Sequence, residues 1–236
     1  MTNKGEGSPI VPPLLDNRAE PDNLRPMARG RFITLEGGEG AGKSTQIKAL
    51  AARLEKAGLE VVVTREPGGS EGAEAIRGLI LTGAVDRWSP TSETLLMYAA
   101  RRDHIERKIA PALERGAWVL SDRFADSTRA YQGAGGGVSA EFIAALEKHV
   151  LGDVRPDLTL ILDLPADMGL ARTLSRNHAE TRFEDKGQGF HQKLRDGFLA
   201  IARAEPGRCA LIDASADLET VGEAIWRTVR DRLPVP

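Results

Sequence analysis

The stretch Gly37-Gly38-Glu39-Gly40-Ala41-Gly42-Lys43-Ser44-Thr45 constrains this chain more than any other. Phe32-Ile33-Thr34-Leu35 precedes it, an apolar run suited to a buried strand, and residues 45–56 follow with the period of a helix. Gly37, Gly42, Lys43 and Ser44 meet the pattern G-x-x-x-x-G-K-[ST] in the strand–turn–helix setting that the pattern requires. The physics behind it is direct. Glycines let backbone N–H groups converge on phosphate oxygens, and the helix N-terminus adds the positive end of its dipole. Lys43 is long enough to reach outer phosphates, and Ser44 offers a hydroxyl to Mg²⁺. Residues 37–45 therefore predict a nucleoside triphosphate site.

The rest of the chain alternates strand and helix. Strands are expected at 60–64, 117–121, 158–162 and 209–212. Helices are expected at 73–81, 92–115, 141–150, 166–174, 190–204 and 218–232, with Pro111 placed to kink the longest. The run through Tyr131-Gln132-Gly133 to Gly135-Gly136-Gly137 reads as a polar loop, and the polar, aperiodic residues 175–189 suit a mobile lid. Residues 1–29, rich in Pro, Asn, Asp, Glu and Gly, read as a disordered tail, with Met27 as an alternative start, and 30–236 as one domain. Alternating strands and helices predict a parallel sheet covered on both faces, with ligands gathered at the carboxyl ends of its strands. Residues 36–44, 65–69, 122–132 and Asp163 should converge there.

Composition excludes several function classes. A net charge of −2 gives no support to a nucleic-acid surface. No apolar run approaches the roughly 20 residues of a membrane span. The N-terminus lacks the apolar core of a secretory signal, and the single cysteine, Cys209, cannot form an internal disulfide, so a reducing cytoplasm is the simplest home. There is no Asn-Lys-x-Asp stretch for reading guanine and no Leu-Ser-Gly-Gly-Gln-like signature of a transporter ATPase. Small kinases and non-catalytic nucleotide switches remain.

Three further stretches narrow the choice: Arg65-Glu66-Pro67-Gly68-Gly69, Met97-Tyr98-Ala99-Ala100-Arg101-Arg102-Asp103, and Asp122-Arg123-Phe124-Ala125-Asp126-Ser127 continuing to Ala130-Tyr131-Gln132-Gly133. With residues 36–45, in this order and spacing, they closely resemble the bacterial thymidylate kinase family, and the resemblance runs from Arg31 to the C-terminus. It implies a three-layer P-loop nucleoside-monophosphate-kinase fold, a five-stranded parallel sheet with helices on both faces and a lid. It implies an ATP:dTMP phosphotransferase that makes dTDP for dTTP synthesis, uses Mg²⁺, and forms a homodimer. A kinase for another monophosphate and a non-catalytic ATP-dependent regulator are the competing readings.

Phosphoryl transfer asks the protein for positioning and positive charge. Lys43 and the loop amides would hold the ATP phosphates, Ser44 would ligate Mg²⁺, and Asp122 would partner the metal directly or through water, or else cap the following turn. Arg123 offers a planar fork to the dTMP phosphate. Arg77 looks like a second phosphate contact, against the alternative of a solvated helix charge. In register with the family, Glu39 stands where an acid meets the deoxyribose 3′-hydroxyl, Glu66 lines the acceptor site, and Pro67 is suited to a cis bond. Arg101 would reach thymine O4, while Gln132 and Thr128 would address its N3 side. Met97 stands where the family usually places a stacking Phe, or else is a core residue. Tyr131 would lie against C2′ of the sugar, or only pack its loop. Some family members carry a catalytic arginine at the position of Gly40 and others supply arginines from the lid, which here offers Arg172, Arg176 and Arg182. Arg172 and Arg176, four apart, would aim at the phosphates, or else pair with local carboxylates such as Glu180 and Glu184; Arg182 would pack on adenine, with Ala214 as a further adenine candidate. The scattered His104, His149, His178 and His191 make no metal-ligand pattern with the cysteine.

Overall fold

The computed structural model describes residues 29–174, 182–183 and 186–236. The expected tail, up to residue 28, and most of the expected lid, including Arg176, lie outside the described residues. Five parallel strands form one sheet: β1 (Phe32–Glu36), β2 (Val61–Arg65), β3 (Trp118–Asp122), β4 (Leu158–Asp163) and β5 (Cys209–Asp213), in the spatial order β2-β3-β1-β4-β5. β1 lies between β3 and β4, with Phe32 opposite Val119 and Ile33 opposite Leu158. Covered on both faces, β1 and β4 are apolar with only isolated polar residues.

Alternation along β1 sends its side chains to two cores. Ile33 and Leu35 pack beneath α1 (Lys43–Lys56) and α9 (Leu218–Arg232) with Leu50, Leu54, Ile225 and Val229. Phe32 faces α3 (Pro90–His104), α4 (Ala110–Glu114) and α6 (Ala140–Leu151) through Tyr98, Leu113 and Leu151. Thr34 and Glu36 share the second face and are fully buried, and the Thr34 hydroxyl lies 2.9 Å from that of Thr159. α2 (Glu71–Leu81), α7 (Ala166–Leu174) and α8 (Gln188–Ala204) complete the layers. No described helix is long and apolar enough to cross a membrane.

Two regions depart from the sequence expectation. The long helix expected at 92–115 runs as α3, a π-turn at Ile105–Ile109, and α4. Pro111 has no N–H to return to the preceding turn, and the wide turn just before it absorbs that loss. Ser89 caps α3, accepting from Ser92 N at 3.1 Å, with Pro90 in the first turn. The second departure is a correction. The polar loop expected through Tyr131 is helical, as α5 (Ala125–Thr128) followed by a π-turn at Arg129–Gly135. Its Ala130 and Ala134 pack against Gly197 of α8, so closely that a Cβ on Gly197 would come within 2.8 Å of the Ala134 methyl. Tertiary packing outweighs the weak local preference of this glycine-rich run.

Candidate active site

The turn after β1 has the backbone that its glycines predict. Gly40 has φ +70°, and a Cβ there would sit 2.3 Å from the carbonyl oxygen of Gly169 in α7. An arginine at this position would need α7 to move, which fits its absence here. Lys43 is buried and curls over the loop, donating from Nζ to the carbonyls of Gly37 (3.1 Å) and Gly38 (2.7 Å). Burial, and then the Arg123 guanidinium, push the Lys43 ammonium down to about 8 against the pull of Glu39, Asp122 and Glu36. Ser44 Oγ donates to Asp122 Oδ2 at 2.7 Å, bringing the loop hydroxyl and the β3 carboxylate together. Two oxygen donors so close are the ligand type that a hard cation such as Mg²⁺ takes, so the residues present fit that ion.

Arg123 follows directly and has φ +72°, the one non-glycine residue in the left-handed region among those described. Its Nη1 donates to Gly37 O (3.0 Å) and Ser127 Oγ (3.2 Å), and its Nη2 donates to Glu39 Oε1 (2.9 Å). Beneath the turn, Glu36 accepts from Phe124 N at 2.7 Å and Ser127 Oγ at 2.5 Å. Burial, aided by the Asp126 carboxylate, lifts Glu36 to about 8 in spite of those two bonds and of Arg123. Glu39 goes the other way. Burial opposes its charge, but Arg123, Lys43 and the Tyr131 hydroxyl outweigh that and hold the carboxyl down at about 2. Tyr131 donates to Glu39 Oε1 at 2.6 Å, and its ring lies under the Arg123 guanidinium, 4.9 Å from centroid to Cζ.

Across the cavity, α3 presents Arg101. Its side chain and that of Glu66 are 3 % and 4 % exposed and meet at 2.7 Å. Arg101 Nη2 donates to Phe124 O (3.0 Å) and Thr128 Oγ1 (3.1 Å). Its Nη1 is buried with no hydrogen-bond partner among the described residues. Glu66 also meets His104 Nδ1 at 3.0 Å, and His104 Nε2 lies 2.7 Å from Thr64 Oγ1. The Glu66–Pro67 peptide is cis, and Arg77 donates to Pro67 O at 2.7 Å. Together these groups surround one cavity of about 360 Å³ that runs from the glycine loop to Arg101, Gln132 and Phe183.

The model of the thymidylate kinase family matches residues 35–225. The chain belongs to the thymidylate kinase family. It is 66% identical over 207 residues to the thymidylate kinase of Caulobacter vibrioides, covering 88% of this chain and 99% of that one. It is 55% identical over 215 residues to that of Bradyrhizobium diazoefficiens, covering 90% and 94%. The crystal structure of thymidylate kinase from Ehrlichia chaffeensis superposes with a TM-score of 0.70 at 34% identity, over 85% of this chain and 99% of that one. The P-loop monophosphate-kinase fold expected from the family is the fold observed.

Most of the family-derived residues meet in the one cavity: Glu39 to Thr45, Glu66, Arg77, Met97, Arg101, Asp122, Arg123, Thr128, Tyr131 and Gln132 all line it. Gly37 and Gly38 are not among its lining residues and accept from Lys43, which is. Met97 both lines the cavity and packs on the core beneath α8. Of the arginines expected to serve the phosphates and adenine, Arg172 and Arg182 are among the described residues. Arg172 donates to Ala214 O at 3.2 Å and lines a second cavity with Gly40, Thr45 and Leu218, which shares the glycine loop with the first but is not lined by Arg101. Arg182 corrects the adenine expectation. It is buried against Glu93 and donates to the carbonyls of Ile80, Ala84 and Val85. A buried guanidinium settles where carboxylate and carbonyl acceptors are, and these lie on the α2–α3 side.

Sequence reasoning passed over Glu93 and Phe183, and it placed Glu36 at the ligand edge without a role. Glu93 reads as an ordinary acid in the first turn of a helix, where the dipole favours it. Glu36 reads as a flank of the glycine motif. Phe183, which stacks edge-on against Tyr131 at 5.6 Å, sits in a stretch without period. The one available signal was an aromatic in an otherwise polar segment.

Proposed function

We propose that the protein transfers the γ-phosphoryl group of ATP to dTMP, giving dTDP, with dTMP between the Arg123 turn and the Arg101 wall. Mg²⁺ belongs to Ser44 and Asp122, where it would neutralise phosphate charge. Lys43 and the loop N–H groups orient the triphosphate, and Arg123 offers its fork to the acceptor phosphate. Tyr131 and Glu39 border the sugar. The cytoplasm and a homodimer belong to the same proposal and rest on family membership.

The observation that carries the base assignment is the orphaned Nη1 of Arg101. A buried donor without an acceptor is costly, and a ligand carbonyl such as thymine O4 removes that cost. Gln132 and Thr128 lie on the same wall. The test is a coupled assay across dTMP, dUMP, UMP, CMP, AMP and GMP with ATP and Mg²⁺. dTMP should have the highest kcat/KM, and a lead for AMP, CMP or GMP would defeat the assignment.

Lys43 adds a pH dependence. Its ammonium is charged below about 8 and loses the proton above it. A polyphosphate favours the charged form, so binding above that pH must take up a proton. ATP affinity should be flat up to about pH 8 and then fall, approaching tenfold per pH unit. Calorimetric titration between pH 7 and 9.5 reads this directly. In Lys43→Arg, whose charge does not titrate in this range, the fall should disappear.

A further inference from the structure

Glu93 lies in the first turn of α3, 2 % exposed, between the cavity wall and the chain that follows α7. Its Oε1 accepts from Gln132 Nε2 at 2.9 Å, with Lys186 Nζ 3.7 Å away. Its Oε2 is bound by Arg182, whose Nε, Nη1 and Nη2 also each donate to a backbone carbonyl. A carboxylate flanked by two cations offers acceptors only. That decides which way the Gln132 amide is turned. Its NH₂ faces Glu93, because the reverse would set two acceptors against each other in a buried place. The Gln132 carbonyl is left for the cavity that the residue lines.

The consequence is chemical. Thymine presents an N3–H donor on its pairing edge, whereas cytosine presents a bare N3 acceptor. A carbonyl turned to the cavity accepts from the first and repels the second. We propose that Glu93 is a positioning residue for base selection: it holds the Gln132 amide in the orientation that admits an N3–H pyrimidine and rejects cytosine. This rests on the reading of Gln132 as a base contact. Arg182 and Lys186, from the chain after α7, complete the selector by holding the Glu93 carboxylate in place. Glu93 itself touches no substrate and acts through Gln132.

Glu93→Gln tests this, because an amide at 93 donates as well as accepts and frees Gln132 to turn over. The ratio of kcat/KM for dTMP over dCMP should fall by about tenfold or more, with the change mainly in KM. Glu93→Asp keeps an acceptor-only group and should retain the ratio even where both KM values rise. If Gln132→Ala lowers the ratio but Glu93→Gln leaves it unchanged, the proposal is overturned while the base-contact reading stands. If Gln132→Ala leaves the ratio unchanged, the base-contact reading itself fails, and the proposal with it. A measurement on the unaltered protein covers the case in which Glu93→Gln does not fold. The Gln132 side-chain NH₂ signal, assigned by its loss in Gln132→Ala, should exchange slowly with water both with and without dTMP. Rapid exchange in the dTMP complex would overturn the proposal.

Discussion

Lys43→Ala should leave a folded protein whose kcat/KM for phosphoryl transfer is lower by roughly 10²–10³, the loss expected for one preorganised charge contact to the reacting group. The stability side of this expectation comes from the surroundings of the side chain. Lys43 is buried, and its ammonium is opposed by burial and by Arg123. Its hydrogen bonds go to two loop carbonyls, Gly37 and Gly38. Removing it therefore relieves a desolvated cation rather than breaking a buried ion pair. Glu39 keeps Arg123 at 2.9 Å and Tyr131 at 2.6 Å, so no carboxylate is stranded. Thermal denaturation should show little change while the coupled assay shows the loss, in kcat as well as in KM for ATP, because the charge meets the triphosphate in the ground state and the transferring group in the transition state. Activity close to that of the unaltered protein would remove Lys43 from the mechanism.

Arg101→Met should act in the opposite way, chiefly on stability. The Arg101–Glu66 pair is almost fully buried, and removing one partner of such a pair costs about 3–5 kcal/mol because the other charge is left uncompensated. His104 also faces Glu66, which puts the expected cost at the lower end. The cation over the Tyr98 ring, 4.7 Å from its centroid, is lost as well. For a chain of this size the drop in Tm should be on the order of 10 °C. Glu66→Gln combined with Arg101→Met should recover much of it, since neither charge then remains. Arg101→Lys separates the two roles: it keeps a cation for Glu66 but loses the fork, so stability should be largely kept while the KM for dTMP rises. A Tm for Arg101→Met equal to that of the unaltered protein would show that Glu66 is not held by this pair.

How far the site was legible depended on the kind of signal each residue carries. Gly37, Gly42, Lys43 and Ser44 act through local backbone geometry, so their spacing alone announces them. Asp122 and Arg123 were legible by position, because the residue after a parallel strand lies at the ligand edge of the sheet. Tyr131 and Gln132 were recognised as site residues while their local structure was misread as loop. Glycines and polar residues around them hide a helical stretch that only α8 packing stabilises. The roles of the arginines were the least legible. Arg172 and Arg182 both look like lid cations in the sequence, yet one reaches Ala214 and the other is buried on Glu93.

The sequence by itself determined the alternating parallel fold, the phosphate loop, the family and the identity of nearly all the cavity-lining residues, because strand period, glycine placement and motif order are written in neighbouring positions. Only the tertiary structure decided which partner each long charged side chain takes. Glu93 and Arg182 are 89 residues apart, and Arg101 and Glu66 are 35 apart. A buried charge is stable only where another part of the chain brings it a counter-charge or an acceptor. That meeting is set by how the layers pack, and no local window of sequence contains it.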